Sequence, residues 1–248
     1  MRSADVALDV QGGVATIVIG ADWSHSSLDS AARAQLVIAL SAVANDPDVC
    51  AVVIHGGGSD FCDGHDLAEY GGRLALDSFR GTQEIDLQAD QLVSSLAAVP
   101  KPVIAAVRGR CRGEGLALAL ACDLRVIADD AELSAATSAI GAHRGRGVRD
   151  ALERCLGSDH ARELVLSGRV FTAREGVDWG LVADVVPADR VVDMALGQAA
   201  MLARLPFAAL SGAKMTLPGA AAGELERALG ARTDRVRRAE QCAPILIH

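Results

Sequence analysis

The 248-residue sequence predicts an α/β fold, in one domain with a helical extension. Short apolar runs of strand length alternate along the chain with segments of helical spacing, and glycine-bearing turns separate them. The clearest unit is residues 99–128, where a buried strand, a turn, an apolar helix and a second strand follow one another. Apolar residues make up 50% of the chain, which is long enough to bury a sizeable core.

The amino-terminal elements are predicted to be a hairpin and a helix. Alternating apolar and polar residues on both sides of Gly12-Gly13 predict two strands, over residues 6–10 and 14–19. Residues 29–43 have apolar residues at helical spacing. We predict a helix there. Asp29 or Ser30 caps its beginning, and Asn45-Asp46-Pro47 ends it.

Another strand, a loop and further helices are predicted next. Residues 49–55 form an apolar run of strand length, with a glycine-rich turn after it. The polar segment 68–84 is expected to be a mobile loop, and the helix after it extends to about Val99. Beyond residue 187 the chain is rich in alanine and has a mainly helical pattern, so residues 191–248 are assigned to helices.

The unit at residues 99–128 carries the first candidate for chemistry. Val103–Val107 is apolar throughout, which suits a strand covered on both faces. The run 116–122 is also apolar at every position, which suits a helix buried on all sides. Gly113 and Gly115 allow a ligand to approach the backbone, where the first N–H groups of the helix are unpaired. These features are suited to holding an oxyanion.

Charge and composition argue against several classes of function. The formal net charge is −8, whereas nucleic-acid binding needs clustered cations, so no nucleic-acid partner is expected. No apolar run approaches the roughly 18 residues of a membrane helix, and the first residues lack a signal-peptide core. We therefore expect no membrane association and a cytoplasmic location. The six cysteines lack zinc-type spacing, so reduced thiols and no metal site are expected.

Two glycine motifs that suggest other chemistries are set aside. Residues 55–58, His-Gly-Gly-Gly, are similar to the oxyanion turn of lipase-type hydrolases, but no G-x-S-x-G motif supplies a nucleophile. Residues 109–115 hold their glycines in an order that differs from the dinucleotide-binding fingerprint. Neither a catalytic serine nor a nicotinamide cofactor is expected.

Three motifs, in the same order along the chain, resemble the crotonase superfamily, the enoyl-CoA hydratase/isomerase family. Residues 50–67 are similar to the family's strand followed by F-x-x-G-x-D-L. Residues 99–128 resemble its strand, glycine turn and buried helix, and residues 162–182 resemble L-x-G-x-x-x-x-A-x-E-A-x-x-x-G-L-V with Gly176 in place of the second alanine. The resemblance covers most of residues 5–190.

The resemblance implies a fold, a partner and an assembly. It implies a ClpP/crotonase-like spiral of ββα units over residues 1–190, followed by a helical trimerisation region over residues 191–248. It also implies an acyl-CoA substrate, with coenzyme A as part of the substrate and no separate cofactor, and a homotrimer or hexamer. Arginines at 108, 110 and 112 and at 144, 146 and 149 are either coenzyme A phosphate contacts or solvated loop charges.

The family's oxyanion hole maps onto two residues of this chain. By resemblance, the donors are the main-chain N–H groups of His65, which follows Gly64, and of Glu114, in the middle of what is usually a triple glycine. Such a pair stabilises an enolate more than the ground state of the thioester. The residues expected to contact substrate are Asp66, Leu67, Gly113 and Arg144. Asp66 has the alternative role of fixing the turn through backbone hydrogen bonds.

The sharpest departure from the family concerns acid/base catalysis. Family hydratases use two glutamates, and an ungapped match places these at Ala117 and Thr137 of this chain. Neither side chain exchanges a proton near neutral pH, so ordinary hydration is not expected. Three side chains are candidate replacements: His65, His143 and Glu114. Each has a plain alternative: a backbone role for His65, an exposed loop position for His143, and helix-dipole stabilisation for Glu114.

The sequence therefore predicts an acyl-CoA enzyme of the enoyl-CoA hydratase/isomerase family that works through an oxyanion or enolate at the thioester. Decarboxylation or hydrolysis needs less of the missing glutamate pair than hydration does. The competing hypothesis is a protein that keeps the fold and binds acyl-CoA without turnover.

Overall fold

Strands and helices alternate along the chain in a computed structural model that describes residues 6–20, 26–76, 80–135, 146–182 and 185–216. The strands are β1 Val6–Gln11, β2 Val14–Ile19, β3 Ser27–Leu28, β4 Ala51–Gly56, β5 Gly64–His65, β6 Val103–Val107, β7 Arg110–Arg112, β8 Leu124–Ala128, β9 Glu132–Ser134, β10 Val170–Thr172 and β11 Val185–Val186. The α-helices are α1 Ser30–Asn45, α2 Leu67–Leu76, α3 Arg80–Ala97, α4 Glu114–Ala121, α5 Arg146–Ser167, α6 Ala173–Asp178, α7 Val191–Leu202 and α8 Phe207–Thr216.

The largest sheet has six strands in the order β1-β2-β4-β6-β8-β11. β1 and β2 form the predicted antiparallel hairpin, and the other neighbours in the sheet are parallel. Parallel neighbours need long crossover connections, which α1, α3 and α4 provide. The α/β prediction is confirmed.

The two faces of this sheet are covered by different helices. Along β6, Val103, Ala105 and Val107 belong to the core that includes α1, α3 and α4. The alternate residues Ile104 and Ala106 pack in a second core with α7. All five residues of the strand are buried, as an entirely apolar strand requires.

Helix α1 begins and ends at polar contacts that the sequence indicates. The Asp29 side chain accepts a hydrogen bond from the N–H of Ala32 at 2.8 Å, which makes it the N-cap. At the other end, the buried Lys101 ammonium donates to the carbonyl oxygens of Val43 and Asp46 at 2.6 and 2.5 Å. A cation is favourable there because the last carbonyls of a helix are unpaired and carry partial negative charge.

The polar segment 68–84, which the sequence analysis assigned to no helix, is mostly helical, because α2 and the beginning of α3 occupy it. Asp66 starts α2 by accepting a hydrogen bond from the N–H of Glu69 at 2.8 Å. Tyr70 of α2 and Ile85 of α3 are buried in a small apolar cluster. The polar composition of the segment and its two glycines gave no helical signal in the sequence.

The carboxyl-terminal part of the described chain is helical, as predicted. α7 packs on the sheet through Val191, Ala195 and Ala199, and α8 follows it. Among the described helices none alone is long and apolar enough to cross a membrane, and residues 188–202 and 207–216 pass that test only together, with a 109° bend between them.

Candidate active site

Two turns meet at one edge of the large sheet. β4 and β6 are parallel neighbours, so the segments that leave their carboxyl ends emerge side by side. One segment leads through Cys62 to β5, and the other leads through β7 to α4. They are joined where the N–H of Cys62 donates to Arg110 O at 3.1 Å and the N–H of Arg112 donates to Cys62 O at 2.9 Å.

Glycines allow this junction to close. At Gly64, φ is +84°, and a Cβ atom would lie 2.8 Å from the carbonyl oxygen of Arg112 and 3.4 Å from the nitrogen of Glu114. At Gly115, a Cβ atom would lie 2.3 Å from the carbonyl oxygen of Cys62. A side chain at either position would separate the turn from the start of α4.

Two backbone N–H groups are available at the junction. Glu114 is the first residue of α4, so its N–H has no partner inside the helix. Directly after β5, the N–H of Asp66 donates to Leu28 O at 2.9 Å, and successive N–H groups of an extended chain point to opposite sides. The N–H of His65 is therefore directed away from β3.

Replacing Gly115 with alanine is expected to force the junction apart. The new methyl group has no room beside Cys62, and overpacking of this kind typically costs about 1–3 kcal/mol of unfolding free energy. The matched control is Gly197→Ala, at an exposed position of α7 where a Cβ atom meets nothing within 4 Å and alanine favours a helix. Chemical denaturation of both variants measures the difference, and equal stabilities would contradict the close contact.

The side chain of Glu114 is buried in an ion pair with Arg33 of α1. The Nε atom of Arg33 lies 3.0 and 3.1 Å from Oε1 and Oε2 of Glu114, and its Nη2 atom lies 3.0 Å from Oε2. The side chains are only 2% and 1% exposed. Charge-assisted hydrogen bonds of this kind satisfy a carboxylate that has been removed from water.

His65 completes the cluster. Its Nδ1 atom lies 2.9 Å from Oε2 of Glu114 and 2.7 Å from Nη2 of Arg33. Its ring stacks on Tyr70 of α2, with 5.9 Å between ring centroids and a 19° interplanar angle. Glu69, also on α2, contacts Nη1 of Arg33 at 3.4 Å. We call Arg33, His65, Glu69 and Glu114 the arginine cluster, which joins α1, β5, α2 and α4.

The cluster keeps Glu114 ionised. Burial alone would raise the pKa of its carboxyl, but the hydrogen bond from His65 and the charge of Arg33 outweigh burial and hold that pKa below its ordinary value. Burial would also lower the pKa of Arg33, yet Glu114 and Glu69 raise it. Because the folded-state pKa of Glu114 is lowered, its stabilising contribution is complete above the ordinary value of about 4.3 and is lost as the pH falls further.

The other predicted residues lie in different surroundings. Asp66 caps α2, and Leu67, the first residue of that helix, is 60% exposed. Gly113 is the N-cap of α4, with φ of 51° and its N–H bound to Ser134 O at 2.9 Å. Ala117, one turn into α4, is 2% exposed. Thr137, His143 and Arg144 lie outside the described residues.

Two of the three arginines of the first group are paired with acidic residues, and the third, Arg108, donates to the carbonyl oxygen of Gly58. Arg110 contacts Asp60 at 2.7 Å and Asp63 at 2.9 Å, and Arg112 contacts Glu132 at 2.8 Å. These two arginines thus carry local ion pairs rather than a bare positive patch. In the described ranges, no group of three or more His, Cys, Asp or Glu side chains is placed to hold a metal ion.

Known proteins share this arrangement of strands, turns and helices. The sequence model described as "Enoyl-CoA hydratase/isomerase" matches residues 9–241, most of the chain. The chain belongs to the enoyl-CoA hydratase/isomerase family. The 2,3-dehydroadipyl-CoA hydratase of Escherichia coli is 33% identical to it over 214 residues, which are 86% of this chain and 82% of that protein.

Solved structures of the family agree with the fold. Pseudomonas aeruginosa PA4980 is 32% identical, with a TM-score of 0.77 over 96% of this chain and 97% of that one. An enoyl-CoA hydratase from Bacillus anthracis is 28% identical, with a TM-score of 0.77 over 85% of this chain and 81% of that one. The crotonase fold expected from the three motifs is confirmed.

Arg33 was not identified from the sequence as a residue of the candidate site. The residue lies in the predicted helix, on the stripe that also buries Leu36 and Leu40. An arginine on the apolar face of a helix is a signal that a buried acidic partner exists elsewhere. The partner, Glu114, is 81 residues away in the sequence, so the signal alone could not identify it.

Proposed function

We propose that this family member acts on coenzyme A thioesters and holds the thioester carbonyl oxygen between the N–H groups of His65 and Glu114. The observation that carries the proposal is the close junction of the Gly64 turn with the first residue of α4. Both N–H groups belong to backbone fixed by neighbouring elements, so they need no reorganisation when charge develops. The family membership supports the substrate class, since the Escherichia coli relative is named for a coenzyme A thioester.

Two fixed donors lower the barrier of any step that puts negative charge on the thioester oxygen. They bind the enolate or tetrahedral oxyanion more strongly than the neutral carbonyl, which is the condition for catalysis. Loss of one such donor typically raises a barrier by about 2.7–4 kcal/mol. The glycines at 64 and 115 support this function by letting the two turns approach.

The reaction we favour is decarboxylation or hydrolysis of the thioester substrate, rather than hydration. Ala117 supplies no carboxylate at the first family glutamate position. In a decarboxylation, the electron pair of the breaking C–C bond enters the enolate, carbon dioxide leaves, and one acid returns a proton to carbon. His65 is our candidate for that acid, because imidazole exchanges protons near neutral pH. In hydrolysis, the same ring would accept a proton from water.

Replacing His65 with alanine separates the side chain from the backbone donor. The N–H of residue 65 remains, so acyl-CoA affinity is expected to change little, while turnover falls by about 10²-fold or more. His143→Ala is tested beside it, since the histidine at 143 is the other candidate. Steady-state kinetics measure the turnover, and calorimetric titration measures the acyl-CoA affinity. Full turnover in both variants would rule out histidine catalysis and leave Glu114, or water held by Thr137, as the candidate.

A substrate panel tests the function itself. Enoyl-, malonyl-type and 3-oxoacyl-CoA compounds are incubated with the protein, and products are identified by mass spectrometry. We expect saturable binding in calorimetry and loss of carbon dioxide or release of free coenzyme A from at least one compound. Binding without any product would favour an acyl-CoA-binding protein, for which the missing carboxylate at Ala117 is the specific argument. No binding by short or long acyl chains would refute the proposal.

A further inference from the structure

Hydrogen counting in the arginine cluster constrains the His65 ring. The Nη2 atom of Arg33 carries two hydrogens and has three neighbours that can accept them. These are Leu28 O at 2.8 Å, His65 Nδ1 at 2.7 Å and Glu114 Oε2 at 3.0 Å. A guanidinium has no acceptor atom, so a hydrogen on Nδ1 can be donated to Glu114 and not to Arg33.

The two neutral tautomers of His65 satisfy this cluster unequally. With a hydrogen on Nδ1, the ring donates to Glu114 Oε2 across 2.9 Å, and Nη2 of Arg33 serves Leu28 and Glu114. Without it, Nδ1 accepts from Nη2 and Glu114 keeps the hydrogen of Nε, but Nδ1 and the carboxylate oxygen Oε2 are then two acceptors only 2.9 Å apart. With hydrogen on Nδ1, the two donors Nδ1 and Nη2 lie 2.7 Å apart, but both direct a hydrogen to the same carboxylate oxygen. A charge-assisted hydrogen bond to a buried carboxylate is stronger than a contact between two acceptors, and this favours hydrogen on Nδ1.

We propose that Glu114 and Arg33 are positioning residues that keep hydrogen on Nδ1 of His65, so that Nε2 is the nitrogen that exchanges protons with substrate. The inference rests on the proposed function for its catalytic meaning. Glu114 binds the ring directly, and Arg33 holds Glu114 through Nε and Nη2. A carboxylate that orients an imidazole in this manner is a general device for fixing its tautomer.

The surroundings of Nε2 are consistent with this role. In the described ranges, the ring's hydrogen-bond contacts are both at Nδ1, and Nε2 has none. The His65 side chain is 9% exposed, compared with 1% for Glu114. Tyr70 stacks against the ring face and so restricts its rotation. The ring is thus anchored at one nitrogen and unpaired at the other.

Nitrogen NMR of the free protein tests the tautomer without any substrate. Long-range proton–nitrogen correlations of the 15N-labelled chain separate protonated from bare imidazole nitrogens, and loss of one set in His65→Ala assigns this ring among the six histidines. We expect hydrogen on Nδ1 and a bare Nε2 when the ring is neutral. A neutral ring with hydrogen on Nε2 in the unsubstituted protein would overturn the proposal, whatever the variants do.

Glu114→Gln tests the cause, and Glu69→Gln is the matched control. The first change removes the charge that attracts the Nδ1 hydrogen, so we expect a shift toward the tautomer with hydrogen on Nε2. The second changes a carboxylate that contacts Arg33 through Nη1, and we expect the tautomer to be kept. An unchanged tautomer in Glu114→Gln, or an equal shift in both variants, would contradict a role for Glu114.

A double-mutant cycle measures the catalytic consequence. With any compound that the protein turns over, Glu114→Gln is expected to lower kcat by about tenfold or more when His65 is present. Loss of a hydrogen-bond partner that orients a functional histidine typically has an effect of this size. Glu114→Gln should lower kcat no further in His65→Ala. An equal loss in both backgrounds would show that the Glu114 side chain acts through the fold and not through His65, and would contradict its positioning role. Without turnover of any compound, the proposed function fails, while the NMR result still decides the tautomer.

Discussion

Replacing Arg33 with methionine is expected to lower the free energy of unfolding by about 3–5 kcal/mol, because it leaves the Glu114 carboxylate buried without its cation. Both side chains are almost completely buried, and Arg33 also donates to Leu28 O at 2.8 Å. Methionine replaces the aliphatic part of the arginine side chain and has no charge, so the loss reports the ion pair more than lost apolar packing. Urea denaturation followed by circular dichroism gives the unfolding free energy.

An exposed arginine provides the matched control for this prediction. Arg162 forms an ion pair with Asp159 on α5, but the two side chains are 66% and 98% exposed. Arg162→Met is expected to change stability by no more than about 0.5 kcal/mol. The double variant Arg33→Met/Glu114→Leu should be more stable than Arg33→Met alone, because it removes the unpaired charge. A loss in Arg33→Met as small as in the control would contradict the buried pair.

Hydration of crotonyl-CoA is expected to be slower by several orders of magnitude than in an efficient family hydratase. A positioned acid or base contributes about 10²–10⁴-fold, and Ala117, which our ungapped match aligns with the first family glutamate, presents only a methyl group. The aligned second position is Thr137. Loss of absorbance by the conjugated enoyl thioester measures the rate. Calorimetric titration of the same preparation is the control that its binding site is intact.

A fast hydration rate would need a specific explanation. Turnover of about 10 s⁻¹ or more, a typical value for enzymes, would contradict the assignment of Ala117 to the glutamate position or show that Glu114 substitutes. Glu114→Gln distinguishes the two explanations. Unchanged hydration in that variant would point to another carboxylate and hence to a wrong alignment. Loss of hydration in Glu114→Gln but not in His65→Ala would instead identify Glu114 as the source of acid/base chemistry.

Local patterns were sufficient to predict most of the fold. The entirely apolar strand at 103–107, the capped helix after Asp29 and the hairpin at Gly12-Gly13 each depend on residues close together in the sequence. The family motifs then supplied the spiral arrangement, which periodicity alone does not specify. The turn at Gly64 and the start of α4 were found the same way, because glycine spacing is a local feature.

The arginine cluster could not be predicted, because its members come from separate elements. Arg33 and Glu114 are 81 residues apart, and Arg33 and His65 are 32 residues apart. The sequence offers two interpretations of Glu114, a helix-dipole carboxylate and a catalytic one, and neither includes a buried cation as partner. The helix α2 was missed for a related reason, since its stability depends on Asp66 capping and on burial of Tyr70 against α3.

The carbonyl stretching frequency of a bound acyl-CoA most directly tests the proposal that His65 and Glu114 hold the thioester oxygen. Difference Raman spectra of a ¹³C-labelled thioester carbonyl, recorded free and bound, isolate this one bond from the protein background. Two N–H donors polarise the carbonyl, so we predict a lower frequency in the complex, and a smaller shift in Gly115→Ala, where the junction is forced apart. A bound thioester with the frequency of the free compound would contradict the account.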